Sequence, residues 1–430
     1  MKYYHKLAFV VIVFFILLVS FIILEPEIHD HGLNHELRDS QDYFESETNH
    51  DDSDKKEDTG VSKKTLQTIV SMFVEKYRLN YSYKLPESPW VTAAKWVKPR
   101  QIHPDNAPEL GAILRDLSTR KITGANVGYR GTQLKLSLTL EGGQRAAFKP
   151  KWYARDFVIL GNPYAGADRH NGEIAAFHLN RILGFNRAPL VVGRRINLRE
   201  EVMPIAEEKL LQTFFKKDNN TCFFGKCYYC KGPEDGVCAD GSVLEGTMVL
   251  WLPSEWKLKN HPHPWRRTYK EGKHAKWETD NSFCQLVKKS PPYNTGPQLL
   301  DLLDGAAFDY LIGNADRHHY ETFTQTDSMV LLLDSAKSFG NPFHDELSIL
   351  APLYQCCMLR ESTYEKLVLL QNGVLSQVLR TVLATDPISP ILTDLYYKAM
   401  DRRMKKIIQL IHKCIEDKSK ERVLLVDKHS

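Results

Sequence analysis

The sequence contains no internal repeat and, outside one acidic stretch, no low-complexity tract, which excludes solenoid and array architectures. Between residues 25 and 62 it also lacks a periodic apolar pattern and nearly lacks basic charge: 13 acidic residues stand against Arg38, Lys55 and Lys56. Such a stretch cannot bury enough apolar surface to offset chain entropy, so 25–62 is expected to be a solvated, disordered stem. Charge is absent altogether from residues 7–24 (LAFVVIVFFILLVSFIIL), close to the ~20 apolar residues that cross a bilayer. No small-residue A-x-A site follows, and the run is long for the h-region of a cleaved leader, so a membrane anchor over 7–24 is the expectation. Lys2 and Lys6 before the run, with Glu25 and Glu27 after it, place 1–6 in the cytoplasm and everything beyond the anchor in a lumen.

With 43% hydrophobic residues the 430-residue chain can bury a substantial core, and its length suits one large domain or two fused lobes. The overall charge of +4 conceals an asymmetry, because setting the tail and the acidic stem apart leaves about +12 on 63–430. A basic domain suits an anionic ligand, and the luminal topology argues against nucleic acid as that ligand. The eight cysteines all lie beyond the stem, and in an oxidising lumen an even number points to four disulfides. Cys227-x-x-Cys230 has the spacing of half a zinc site or a redox pair, but no second ligand pair stands at a suitable spacing. Nested bridges Cys222–Cys238 and Cys227–Cys230 are therefore expected. The adjacent Cys356 and Cys357 cannot easily join each other, so each is expected to take one of Cys284 and Cys414, with the choice left open. Asn80-Tyr-Ser82 and Asn219-Asn-Thr221 are N-glycosylation sequons, in keeping with secretion.

Apolar spacing predicts helices over 64–77 and 107–117. Strict alternation in 134–140 (LKLSLTL) marks a half-buried strand, and Gly142-Gly143 turns it into a second strand, 145–149, that ends on a lysine. Asn171 is placed to cap a helix through about Leu183. Helical periodicity returns over 299–312, 361–383 and 394–414, and the apolar run 329–334 (MVLLLD) is read as a buried strand that delivers Asp334.

Phosphoryl transfer requires a cation on the ATP phosphates, a carboxylate to hold that cation, carboxylates for a metal and one near the acceptor hydroxyl. Lys149 at a strand end and Glu173 on the next helix suit the first two roles. Asp316, in the stretch 313–321 (GNADRHHYE), and Asp334 lie 18 residues apart, so a loop and a strand can bring both to one cleft. Asp316 is then the base and Asp334 a metal ligand. Asp316, His318 and His319 also compose a metal-hydrolase cluster on paper, but adjacent histidines on an extended segment point opposite ways, and loop packing is the expected role for both. His178 is likewise read as a packing histidine.

These motifs, with 168–178 (DRHNGEIAAFH), 333–340, 344–350 (HDELSIL) and Gln355-Cys356-Cys357, resemble the secretory-pathway kinases of the family with sequence similarity twenty, over roughly residues 90–425. The resemblance implies an α+β, atypical bilobal protein-kinase-like fold, disulfide-bonded. The N-terminal segment, β-rich N-lobe and cysteine-rich insert would occupy 63–247, and the hinge and helical C-lobe 248–430. It implies Asp316 as catalytic aspartate, Asp334 as metal ligand and Asp168 as a second one, where casein-type members carry glutamate. Gln133, Lys149, Glu173 and Glu321 match positions around ATP, and Val249, Leu250, Trp251 and Leu252 match the segment against adenine. ATP with Mn²⁺ or Mg²⁺ is the implied cofactor set. Departures from ordinary protein kinases are plain: there is no G-x-G-x-x-G loop, no HRD and no contiguous DFG. Ser335 also follows the metal aspartate where relatives usually have asparagine.

The stretches 149–153 (KPKWY), 161–166 (GNPYAG), His263-Pro264-Trp265 and 336–342 (AKSFGNP) look like the sugar-kinase branch of that family. That likeness implies the 2-hydroxyl of xylose in a proteoglycan linkage glycan, as a galactosyl-xylose unit, as the acceptor. Trp152, Tyr153 and Tyr164 are then candidates to stack on pyranose faces. The alternatives are a secretory-pathway protein Ser/Thr kinase and a non-catalytic allosteric partner of one. Residence in the Golgi membrane as a single-pass type II protein is implied as well, with assembly with itself or related kinases as a further option.

Overall fold

The computed structural model describes residues 63–426, apart from 106, 129–130, 231, 271, 296 and 326–327. The expected tail, anchor and stem lie outside the described residues, and no helix among these is long and apolar enough to cross a membrane. Three helices, α1 (Lys63–Tyr77), α2 (Pro89–Trp96) and α3 (Leu110–Thr119), lead into β1 (Ile122–Val127), β2 (Leu136–Leu140) and β3 (Arg145–Pro150). The expected start of the α3 helix at 107 moves to 110, because Leu110 N–H already folds back on Ala107 O in a turn. The Gly142-Gly143 turn has φ of 90° and 79°, a conformation that glycine adopts without steric cost.

An antiparallel five-stranded sheet of order β1-β2-β3-β8-β4 forms the β-rich half, with β4 at Val191–Asn197 and β8 at Val243–Leu250. Helix α4 (His170–Ile182) packs on its β4 and β8 strands, every one of its residues buried. Asn171 does not cap it as expected: Arg169 occupies the N-cap position, and Asn171 Nδ2 donates to Ile391 O. A smaller sheet of β5 (Phe214–Lys217), β6 (Asn220–Phe223) and β7 (Val237–Cys238) carries the cysteine-rich insert. Asp218 and Asn219 form its two-residue turn, both at positive φ, as the hairpin twist demands. Both sequon asparagines, Asn80 and Asn219, are exposed.

The helical half is built on α5 (Gln298–Ile312), which is almost wholly buried. Its end is fixed by Gly313 at φ 68°, a left-handed C-terminal residue. A side chain there would also meet the Arg403 guanidinium at 2.8 Å, so two constraints demand glycine. The expected helix 361–383 divides into α6 (Glu361–Leu370) and α7 (Val374–Leu383), because Asn372 and Gly373 take φ of 56° and 81°. Helix α8 runs Asp394–Lys418, four residues past the expected end. The run 329–334 is buried through Leu332 but is not a strand: it makes a single bridge, Leu331 to Glu321 of β10 (His319–Phe323), whose ladder partner is β9 (Leu258–Pro262).

Two aspartates on the apolar α5 are held by arginines from three other segments. Arg100 and Arg187 reach Asp301 at 3.0 and 3.3 Å, Arg360 reaches it at 2.6 Å, and Arg187 reaches Asp304 at 3.1 Å. Burial pushes the Asp301 carboxyl up, but the guanidiniums outweigh it and hold the group below its usual range. Four disulfides complete the frame: Cys222–Cys238, Cys227–Cys230, Cys284–Cys356 and Cys357–Cys414.

Buried histidines make stability depend on pH. Desolvation lowers His103 to about 4 and His263 to about 3, so both stay neutral in the fold while their unfolded counterparts take up protons near pH 6.5. The unfolded chain then binds more protons, and stability falls as pH drops from 6.5 toward 4, by on the order of 1 kcal/mol or more per histidine. Urea midpoints at pH 7 and pH 5 check this; equal midpoints contradict it.

Candidate active site

Lys149 ends β3 with its side chain 7% exposed, and its ammonium gathers three carboxylates. It donates to Glu173 Oε1 of α4, lies 2.5 Å from Asp334 Oδ1 and 3.5 Å from Asp168 Oδ2. Burial lowers the Lys149 pKa, but the three negative charges outweigh burial and raise it well above the ordinary value. Lys149 in turn holds Asp334 far below the usual carboxylate range. Asp168 goes the other way: burial pushes it up more than Lys149 pulls it down. Three carboxylates therefore converge on one ammonium.

The start of α4 is fastened to the Asp334 segment. Glu173 Oε2 accepts from Ser335 N at 3.2 Å, Arg169 N donates to Ala336 O at 2.8 Å, and the Arg169 guanidinium donates to Lys337 O and Ser338 O. Gly172 is needed at this contact, since a β-carbon would lie 2.6 Å from Ser338 Oγ. Glu173 in the first turn also meets the positive end of the helix dipole. Asp334 adopts φ 55°, a left-handed conformation that aspartate tolerates better than most residues, and its side chain is 72% exposed.

Asp316 follows the end of α5 on a loop with its own internal support. Its N–H donates to Asn314 Oδ1 at 3.1 Å, and Asn314 Nδ2 donates to Asp309 Oδ1 at 3.1 Å. Arg317 spans from Asp309, at 2.9 Å, to Leu333 O at 2.7 Å and Ser335 Oγ at 3.3 Å, so it ties the Asp316 loop to both neighbours of Asp334. Tyr269 Oη donates to Asp316 Oδ1 at 2.6 Å. Asp309, Arg317 and Tyr269 were not singled out by sequence reasoning. Asp309 carried a readable signal, as one of three aspartates in a helix otherwise mostly apolar; Tyr269 carried none, because 47 residues separate it from Asp316.

The remaining candidates are distributed around this centre. Lys135, two residues beyond Gln133, and Lys337 both feel the charges of Asp168 and Asp334, and Lys337 also that of Asp316. Val249 and Leu250 end β8, followed by Trp251, whose ring lies 3.7 Å under the Arg145 guanidinium, and by half-buried Leu252. Glu321 sits on β10, accepting from Asn260 at 3.1 Å. Trp152 packs against the core, and Tyr153 Oη accepts from Ala167 N at 2.8 Å beside Asp168. Tyr164 lies edge-on to Tyr269, ring centres 4.7 Å apart, which makes it the aromatic of the three linked to Asp316. His318 Nδ1 pairs with Asp316 O at 2.7 Å and His178 with Arg181 at 3.0 Å, both structural contacts. Among the described residues no group of three or more His, Cys, Asp or Glu is arranged to hold a metal. Asp168 and Asp334 nonetheless suit one: both are hard oxygen donors, and a divalent cation would favour the charged form of Asp168 that burial disfavours.

A strand lysine joined to a helix glutamate, with an aspartate from beyond the loop after α5 on the same ammonium, is the constellation of a kinase fold. A family model described as "Fam20C: Golgi casein kinase, C-terminal, Fam20" matches residues 88–423, and the chain belongs to the Fam20 family. It is 54% identical over 376 residues to a glycosaminoglycan xylosylkinase of Homo sapiens, covering 86% of this chain and 92% of that one. The identity to its counterpart from Danio rerio is 57%, covering 80% and 84%. Among solved structures, "The structure of hydra Fam20 with sugar" superposes with a TM-score of 0.78 at 49% identity, covering 80% of this chain and all of that one. The "crystal structure of the Golgi casein kinase with Mn/ADP bound" gives 0.77 at 31% identity, covering 86% and 94%.

The Arg317 bridge gives a specific expectation. Replacing Arg317 by lysine keeps the charge but loses the fork that spans Asp309, Leu333 and Ser335. Turnover of the Arg317→Lys protein should fall by about tenfold or more, with thermal unfolding showing an intact fold; wild-type turnover would show that the bridge does not position the two aspartates.

Proposed function

We propose that this chain transfers the γ-phosphoryl group of ATP to the 2-hydroxyl of xylose in the glycosaminoglycan–protein linkage region of proteoglycans, with galactosyl-xylose as the acceptor. The observation that supports this most is the Lys149 ammonium shared by Glu173, Asp334 and Asp168, in a chain 54–57% identical to glycosaminoglycan xylosylkinases. Lys149, oriented by Glu173, holds the phosphates; Gln133 and Glu321 contact the nucleotide; Val249, Leu250, Trp251 and Leu252 line adenine. Asp168 and Asp334 hold Mn²⁺ or Mg²⁺, in keeping with the Mn/ADP-bound relative. A bound divalent cation supplies charge neutralisation across the phosphates. Asp316 orients the acceptor hydroxyl and takes its proton as the oxygen attacks phosphorus. The division into an N-lobe through 247 and a C-lobe from 248 puts this centre between a sheet and a helical half. Residues 7–24 anchor the protein in the Golgi membrane as a type II protein, with 25–62 as spacer. The sugar-bound hydra relative supports a glycan acceptor over a protein one.

Labelled ATP and Mn²⁺ supplied to the purified luminal part should phosphorylate a galactosyl-xylosyl glycan in preference to casein-like peptides. Asp316→Asn should lower that turnover by ~10² or more while ADP still binds. Labelling of the peptides with the glycan untouched would overturn the acceptor and leave the kinase. Equal turnover in the Asp316→Asn protein would overturn the base.

A further inference from the structure

Tyr269 stands on the acceptor side of the site with features that ordinary packing does not explain. Its hydroxyl donates to Asp316 Oδ1 at 2.6 Å, the kind of bond that an acceptor hydroxyl must make to the same carboxylate before transfer. The residue is 40% exposed, so core burial does not hold it there. Its backbone is at φ 53°, unfavourable for a bulky side chain. The preceding Thr268 holds the backbone on the other side, its Oγ1 accepting from Lys270 N at 3.4 Å and donating to Lys273 O at 2.7 Å. Two rings flank the phenol edge-on: Tyr164, at 4.7 Å between ring centres, and His318, at 5.5 Å. Desolvation first, and then the Asp316 charge, push the phenol's pKa up, so it remains a donor at any working pH.

We propose that Tyr269 is a placeholder for the acceptor: its hydroxyl caps Asp316 when no glycan is bound and is displaced by the sugar hydroxyl. The proposal rests on Asp316 being the base. With Oδ1 occupied the base has one fewer oxygen with which to orient water, which lowers wasteful hydrolysis of ATP. In that side reaction the water oxygen bonds to Pγ, the bond from Pγ to the β–γ bridging oxygen breaks, ADP departs, and the proton of water goes to Asp316. The acceptor must break the Tyr269 bond on entry, so the cap lowers glycan affinity in exchange for selectivity against water.

Tyr269→Phe keeps the ring beside Tyr164 and removes only the donor. Acceptor-free ATP hydrolysis should rise about fivefold or more, and the KM for the galactosyl-xylosyl glycan should fall by roughly threefold or more, the scale of one lost hydroxyl–carboxylate bond. Adding Asp316→Asn to this variant should return hydrolysis to the background. Tyr269→Leu, which loses ring and hydroxyl together, should show the same rise in hydrolysis. Unchanged hydrolysis and unchanged glycan KM in Tyr269→Phe, with unfolding temperature preserved, would overturn the cap. So would increased hydrolysis that survives Asp316→Asn. If the wild type leaves the glycan unphosphorylated, the acceptor assignment fails, while the hydrolysis comparison still decides the role of Tyr269.

Discussion

The ammonium of Lys149 is the point on which the site depends. One buried cation draws a carboxylate from a helix, one from the loop before that helix and one from the segment after the catalytic loop. Removing it would leave two buried carboxylates, Glu173 and Asp168, without the ammonium beside them, a cost of several kcal/mol. In the proposed function, two of those carboxylates, Asp168 and Asp334, take the divalent cation, so the group that fastens α4 to the Asp334 segment also prepares the site for metal-bound nucleotide.

A second tier of contacts carries that centre to Asp316. Arg317 reads the position of Asp309 at the end of α5 and fixes the backbone on both sides of Asp334. Arg169 and Gly172 clamp the start of α4 onto the residues that follow Asp334. Misplacement of any one of these elements moves a reacting group, and catalysis by positioning is sensitive to shifts on the order of 1 Å.

Much of this was legible in the sequence, for physical reasons that differ by element. The alternation of 134–140 and the Gly-Gly turn announced β2 and β3, and hence Lys149 at a strand end. Helix α5 was legible because its apolar character is continuous and Gly313 ends it. Asp334 was legible in its place but not in its geometry: an apolar run reads as a strand, whereas tertiary packing and a left-handed φ at Asp334 make it a buried, mostly unpaired segment. Asn171 misled because a capping residue type was available where the fold uses its side chain to reach Ile391. Arg317 and Tyr269 depend on contacts that local pattern does not encode. The disulfide partners of Cys356 and Cys357 required the fold itself, which separates the adjacent cysteines toward Cys284 and Cys414.

In the proposed function Lys149 assembles the nucleotide and metal site, which calorimetric titration of Mn²⁺ and ATP into the wild type and a folded Lys149→Met variant can decide. Affinity for the metal–nucleotide pair should be weakened by about tenfold or more in the variant, the scale of one lost charge-assisted bond. Equal affinity in the two proteins would contradict it.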